Sequence, residues 1–315
     1  MTDSPDAPAE RGAFAFVSHQ PYVLLTITML LWSSNIILAR AVVETVPPIA
    51  FAVLRWSFAI LILLPFAYRH VKRDLPALRA SWPIVALLGF LGIGAYNTLV
   101  YIGVHTTSAV NAAVLSSIFP ILIAAVGFVI FRDRLTLAQT IGILGSCVGA
   151  LVILSKGDLS ILTSFHFATG DLWILAAQTI YASYTVLLRL RPKAHPLSFL
   201  LATMVFGELM LIPFAIGEGL SGQIVTLDLS TIGAALYVAV FPALIAFICF
   251  NRGVALIGSN RASPFFHLIP VFGSLMALGF LGEYVGLYHV VGWVMILAGI
   301  GAGQLGRRTG ATLKR

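Results

Sequence analysis

The chain has 315 residues, of which 59% are hydrophobic and 10% charged, against about 25% charged in an ordinary water-soluble domain. That composition excludes a soluble fold. The formal charge of +7 does not point to nucleic acid either, because the basic residues sit in short clusters between apolar runs and form no continuous polar face.

In chain order, residues 1–20 carry Asp3, Asp6 and Glu10 and lack the short apolar stretch and small-residue cleavage site of a signal peptide, so they read as a cytoplasmic tail. From there, apolar runs recur to the end of the chain. A helix needs about 20 apolar residues to cross a 30 Å hydrocarbon layer. Runs of that kind lie at 21–43, 48–69, 83–104, 108–130, 135–154, 171–189, 196–217, 231–252, 259–281 and 285–305. They are about twice the length of a barrel strand and do not alternate, so the predicted fold is an all-α integral membrane protein of ten transmembrane helices.

Lys and Arg in the connecting segments orient the spans. One side holds Arg11, then Arg69, Lys72, Arg73 and Arg79, then Arg132 and Arg134, then Arg189, Arg191 and Lys193, then Arg252 and Arg261, and finally Arg307, Arg308, Lys314 and Arg315. The other side has Lys156 with Glu44, Asp158, Asp171, Glu218, Asp228 and Glu283, while Arg40 and Arg55 fall within spans. Both termini are therefore expected in the cytoplasm and the chain in the inner (plasma) membrane.

An offset of 148 to 150 residues superimposes one half on the other. Trp32-Ser33-Ser34-Asn35 through Arg40 overlays Tyr181-Ala182-Ser183-Tyr184 through Arg189, and Leu64-Pro65-Phe66-Ala67 overlays Ile212-Pro213-Phe214-Ala215. Farther along, Gly103, Pro120, Asp133, Gly142 and Gly149 meet Gly253, Pro270, Glu283, Gly292 and Gly299. Five spans per half is an odd number, which inverts the second copy. The expected organisation is a tail at 1–20, a five-helix unit at 21–156, its inverted copy at 157–306 and a basic cytoplasmic tail at 307–315.

These features resemble the ten-helix members of the drug/metabolite transporter superfamily. The resemblance covers nearly all of residues 21–306. It rests on Trp32-Ser33-Ser34-Asn35, Leu54-Arg55-Trp56, Ala109 through Pro120, Arg132-Asp133-Arg134-Leu135 and Gly282-Glu283. The chain looks most like the amino-acid exporters of that superfamily, including the aromatic amino-acid exporter group. The resemblance implies two inverted five-helix repeats around a central cavity, with helices 1–4 and 6–9 lining it and helices 5 and 10 peripheral.

Polar residues at mid-depth mark a transporter's site, because leaving them in lipid is costly. Trp32, Ser33, Asn35, Asn97, Ser116, Ser117, Gln178, Tyr181, Tyr184 and His267 are the candidates, set against the plainer reading of interhelical hydrogen bonding. Tyr96, Tyr101, Asn111 and Asn251 lie farther from the centre and are assigned to vestibules, with Pro120 and Pro270 as gating kinks. Arg55 and Glu208 stand out as ionisable residues within spans. They are expected to take the carboxylate and ammonium ends of a zwitterion and to compensate each other when the site is empty. Small residues at Gly145 to Gly149 and at Gly299 to Gly303 suit close helix packing. Gly89, Gly92 and Gly94 lie inside a span and make no nucleotide fingerprint. Cys147 and Cys249 have no partner at metal-ligand spacing, so neither a metal nor a cofactor is expected.

The function that follows is carrier-mediated export by alternating access, with amino acids, including aromatic ones, or similar small metabolites as the substrates that the resemblance implies, in a monomer or weak homodimer within the lipid bilayer. Coupling to protons through Glu208, or export of other metabolites or drugs, is the alternative. A membrane-embedded enzyme, with His70 and Asp74 as its nearest approach to a catalytic cluster, and a non-transporting adaptor or scramblase are readings from other classes.

Overall fold

The structure, a computed structural model, describes residues 18–42, 47–104, 106–158, 160, 167–222, 225–281 and 286–305. Within helices, the side chains of residues 36, 37, 39–42, 101, 104, 109, 110, 113, 280 and 281 lie outside the described ones. The tails expected at 1–20 and 307–315 fall almost wholly outside them, as do Glu44 and Glu283.

The described residues are helical, without strands. We label the stretches α1 (Pro21–Val42), α2 (Pro48–Ala80), α3 (82–104), α4 (109–131), α5 (Leu137–Leu154), α6 (Thr169–Leu187), α7 (Pro196–Leu220), α8 (Leu229–Ile257), α9 (259–281) and α10 (Leu287–Gln304). Seven of them, α2, α3, α5, α7, α8, α9 and α10, are long and apolar enough to cross a membrane. The sequence of α6 is diluted by Asp171, Gln178, Thr179 and Thr185, which is the cost of carrying inward-facing polar groups.

Local chemistry sets the ends. Proline stands in the first turn of α2 and α7, where its missing N–H leaves no bond unmade. Asp228 caps α8 through the Thr231 N–H at 2.7 Å, and Thr136 with Gln139 forms a reciprocal capping box on α5. Gly258, at φ +82°, is the single residue between α8 and α9, a conformation that side-chain-bearing residues rarely adopt.

α2 and α7, second in each half, run antiparallel and lock each other's ends. The Glu218 carboxylate of α7 accepts from the Ile49 and Ala50 N–H groups at 3.2 and 2.7 Å, satisfying the orphan donors of α2. Asp74 of α2 reciprocates at the other end, accepting from the His195 N–H at 2.7 Å and the Ser198 hydroxyl at 2.9 Å. Glu218, read from sequence as part of an acidic outer loop, thus has a capping role, and His70 stacks on His195 with ring centroids 3.7 Å apart.

The α5–α10 pair is also antiparallel. A Cβ on Gly142 would meet Gly299 and Gly303 backbone at 2.6 Å, and one on Gly149 would meet the Gly292 carbonyl at 2.8 Å. Because Gly142 corresponds to Gly292 and Gly149 to Gly299, these two contacts exchange under a two-fold rotation. The same holds for Gly103 against Ile174 and Gly253 against Leu25. A Cβ on Gly145, expected at this seam, would meet nothing nearer than the Gly299 Cα at 3.9 Å, so there is room there.

Two irregularities position the site. α3 and α8 each contain a π-helical turn, Phe90–Ala95 and Ala239–Ile245, at matching places in the two halves. Such turns widen a helix and are frequent at functional sites. α4 breaks at Ile118 and α9 narrows to a 3-10 turn over Ser263–His267, each just ahead of the matched prolines Pro120 and Pro270.

Candidate functional site

A cavity of about 850 Å³ opens between the helices, large enough for a small metabolite with water. From the sequence candidates it gathers Trp32, Ser33, Asn35, Arg55, Tyr96, Asn97, Ser116, Ser117, Gln178, Tyr181, His267 and Pro270. It extends to Lys156, Tyr288 and His289, where α5 ends and α10 begins. Lys156 is exposed at that rim.

The floor is aromatic. Trp32 packs against Tyr181, Phe247, Phe250 and Phe266 with ring centroids 5.1 to 5.9 Å apart, and its Nε1–H donates to the Pro242 carbonyl at 3.2 Å. That carbonyl lies in the π turn of α8, so the irregular backbone holds the tryptophan in place. Tyr181 also meets Tyr96 at 4.8 Å, and its hydroxyl is buried without a hydrogen-bond partner.

Polar groups ring this floor. Arg55 Nη2 donates to Asn97 Oδ1 at 3.1 Å, while the Asn97 amide donates back to the Ile93 carbonyl in the π turn of α3 at 2.9 Å. The guanidinium lies 5.0 Å from the Trp56 ring centroid, and its Nε has no partner. Gln178 Nε2 donates to the Ser116 hydroxyl at 2.9 Å. The break in α4 sends the Ile121 N–H to the Ile118 carbonyl and so frees the Ser117 carbonyl, which accepts from His267 Nε2 at 2.8 Å. In the neutral ring the other nitrogen, Nδ1, carries the lone pair, and it is buried without a partner.

The remaining candidates lie off the cavity. Glu208 accepts from the Ser57 hydroxyl, and no ion pair joins it to Arg55; the expected mutual compensation is not formed. The reason is rotational: Ser57 lies two residues from Arg55 on α2 and points to another face of that helix. Tyr184 donates to Asn251 Oδ1 at 2.8 Å, below the aromatic floor, and Asn111 donates to Asp171 at 2.9 Å at the opposite end. Pro120 is buried beside the break in α4 and outside the cavity lining. The side chain of Tyr101 lies outside the described ones.

On the side of the basic loops, bonded residues lie outside the cavity lining. Beneath the Tyr184–Asn251 bond, Arg191 Nη1 donates to the Asn251 carbonyl at 3.3 Å. Lower still, Arg189 forms a two-pronged ion pair with Asp133 and covers the Phe131 ring at 4.0 Å.

Phe247 and Phe266 are site residues that the polarity argument passed over. The internal duplication carried the missing signal, since the 150-residue offset takes Asn97 to Phe247 and Ser116 to Phe266. It also takes Ser117 to His267, the two residues that meet at 2.8 Å.

A model of the EamA-like transporter family matches twice, at residues 20–155 and again at 168–302. Among similar proteins are the uncharacterized transporter YyaM of Bacillus subtilis, 28% identical over 89% of this chain and 92% of that one. An uncharacterized transporter of Archaeoglobus fulgidus is 24% identical over 90% and 97%, and the uncharacterized inner membrane transporter YicL of Salmonella typhimurium 26% over 87% and 91%. A crystal structure covering 91% of this chain and 96% of its own superposes with a TM-score of 0.76 at 20% identity, a likeness of fold alone.

Proposed function

From membership of the EamA-like transporter family, to which this chain belongs, we propose that it exports small metabolites, amino acids among them, across the inner membrane by alternating access. The observation that carries this reading is the cavity itself. It pairs an aromatic floor with convergent polar groups, and it is closed by bonded layers on one side while reaching an exposed lysine on the other. Such a one-sided cavity suits one of the two end states of a carrier.

The reading takes ten spans in two inverted five-helix units, 21–156 and 157–306. Both termini and the Arg69 to Arg79 segment face the cytoplasm, so the sealed side is the cytoplasmic one. The antiparallel α2–α7 and α5–α10 pairs support the inversion, because matched helices of inverted copies must run oppositely. We take the protein as a monomer or weak dimer, since α5 and α10 spend their glycine faces on each other. Transport is read as facilitated, because Glu208 stands off the cavity and bonds to Ser57.

Efflux from proteoliposomes across a panel of amino acids and related metabolites, with and without an imposed pH gradient, tests the proposal. Saturable flux blocked by excess unlabelled substrate is expected; flux that never saturates would leave a channel or scramblase.

A further inference from the structure

Arg55 and Lys156 are the charged side chains among the described cavity lining, and no carboxylate accompanies them. Lys156 sits exposed at the rim, so within the membrane-depth part of the cavity Arg55 stands without an anion. Arginine remains charged under all ordinary conditions. A neutral amide, Asn97, and the face of Trp56 are among its contacts, the Tyr96 phenol is a further neighbour, and the arginine Nε has no partner. A cation in this setting is costly and is stabilised by an arriving anion.

The groups that face an amine are different in kind. The described lining offers an ammonium the neutral acceptors His267 Nδ1, Ser116, Gln178 and Tyr181, and no negative charge. The carboxylate that would match it, Glu208, is turned away to Ser57.

Resting on the transporter reading above, we propose that this cavity selects organic carboxylates with an apolar or aromatic body, recognised by Arg55 and Asn97, and that an ammonium group on the substrate adds nothing to binding. Zwitterionic amino acids are then accepted through their carboxylate, and their deaminated counterparts bind at least as well. The aromatic floor of Trp32, Tyr181, Phe247 and Phe266 takes the apolar body, with no requirement on the amine.

Three molecules of one shape separate the charges: 3-phenylpropanoate, phenylalanine and phenethylamine. Equilibrium binding to the purified full chain in nanodiscs is read by tryptophan fluorescence. The expected order is 3-phenylpropanoate at least equal to phenylalanine, with phenethylamine weaker by about tenfold or more, the scale of one charge-assisted hydrogen bond. Arg55→Gln should remove that preference and Arg55→Lys should restore part of it. Asn97→Asp, which supplies the missing anion beside Arg55, should weaken the two carboxylates selectively and keeps the test alive if Arg55→Gln does not fold. Phenylalanine binding tenfold tighter than 3-phenylpropanoate, phenethylamine binding as well as either, or no binding by any of the three would overturn the proposal. Binding in the expected order without saturable flux in proteoliposomes would instead count against the transporter reading and leave the site assignment standing.

Discussion

Trp32 and Tyr181 occupy matching positions in the two halves and meet edge to face, with ring centroids 5.9 Å apart. A residue that touches its own counterpart lies on the two-fold axis relating the halves, so this pair sits at the centre of the molecule. Ser117 and His267 do the same through their 2.8 Å hydrogen bond.

Trp32→Ala should cost about 3 kcal/mol of stability, as for a large core truncation, and should impair efflux of bulky aromatic substrates more than of small aliphatic ones. Thermal unfolding and a substrate-series efflux assay measure the two effects separately. Equal loss across the series would assign Trp32 to packing alone.

In the proposed alternating-access cycle, the bonded layers at the basic-loop end must open. Asp133→Asn breaks the ion pair with Arg189, a partly exposed contact worth at most about 1 kcal/mol, enough to shift a two-state population by about fivefold. Labelling of a cysteine placed in the cavity, from the basic-loop side, should accelerate accordingly. The offset takes Arg189, Asp133, Tyr184 and Asn251 to Arg40, Glu283, Asn35 and Tyr101, the same charge pair and the same Tyr–Asn pair with roles exchanged. Glu283 and the side chains of Arg40 and Tyr101 lie outside the described ones. Glu283→Gln should shift labelling in the opposite sense to Asp133→Asn; two shifts of the same sign would refute a matched pair of closures.

Gly142→Ala should destabilise the protein by about 1–3 kcal/mol, because the new methyl group has only backbone to displace. Gly145→Ala, one turn away, where the new methyl group would meet only the Gly299 Cα at 3.9 Å, should be neutral or stabilising. Comparative unfolding in detergent distinguishes them, and equal destabilisation would mean that the seam is not as close as the geometry has it.

Burial and the neighbouring His70 lower the pKa of His195 below its ordinary 6.5; Arg73 adds to this, while Asp74 opposes it. Its Nδ1 accepts the Leu197 N–H at 3.3 Å, a role only the neutral ring fills. The unfolded chain therefore binds the proton more readily than the folded one, and stability rises with pH. The contribution is complete above 6.5 and is lost as pH falls toward the lowered folded value. Melting temperature should drop between about pH 7.5 and about pH 5.5, and His195→Asn, which retains an N-cap acceptor, should flatten that slope. An unchanged slope in the variant would place the titration elsewhere.

Much of the architecture is legible without coordinates because it follows from local composition. Lipid leaves backbone groups no partner but the helix itself, so apolar run length determines where helices form. The duplication offset makes α7 the counterpart of α2 and α10 that of α5, and five spans per half implies that counterparts run oppositely; that they pack against each other is a matter of tertiary structure. The same offset matches Gly142 to Gly292 and Gly149 to Gly299, whereas the contacts of Gly142 with Gly299 and of Gly149 with Gly292 come from the packing. Polarity at mid-depth identifies Trp32, Arg55, Asn97, Gln178 and His267 as neighbours of one cavity.

Which way each side chain faces was decided by tertiary structure. The π turns at Phe90–Ala95 and Ala239–Ile245 rotate everything downstream, and a π turn leaves no mark in hydrophobic period. That rotation brings Asn97 to Arg55 and Phe247 into the floor, while the facing of α2 sends Ser57 to Glu208, so the two span charges are separated instead of paired. Glu218 was placed by charge pattern in a solvent loop, yet the end of α2 lies against it and its carboxylate replaces water on two N–H groups. Hydrogen-bond demand at a helix terminus is a sequence property; which distant residue meets it depends on how the helices pack.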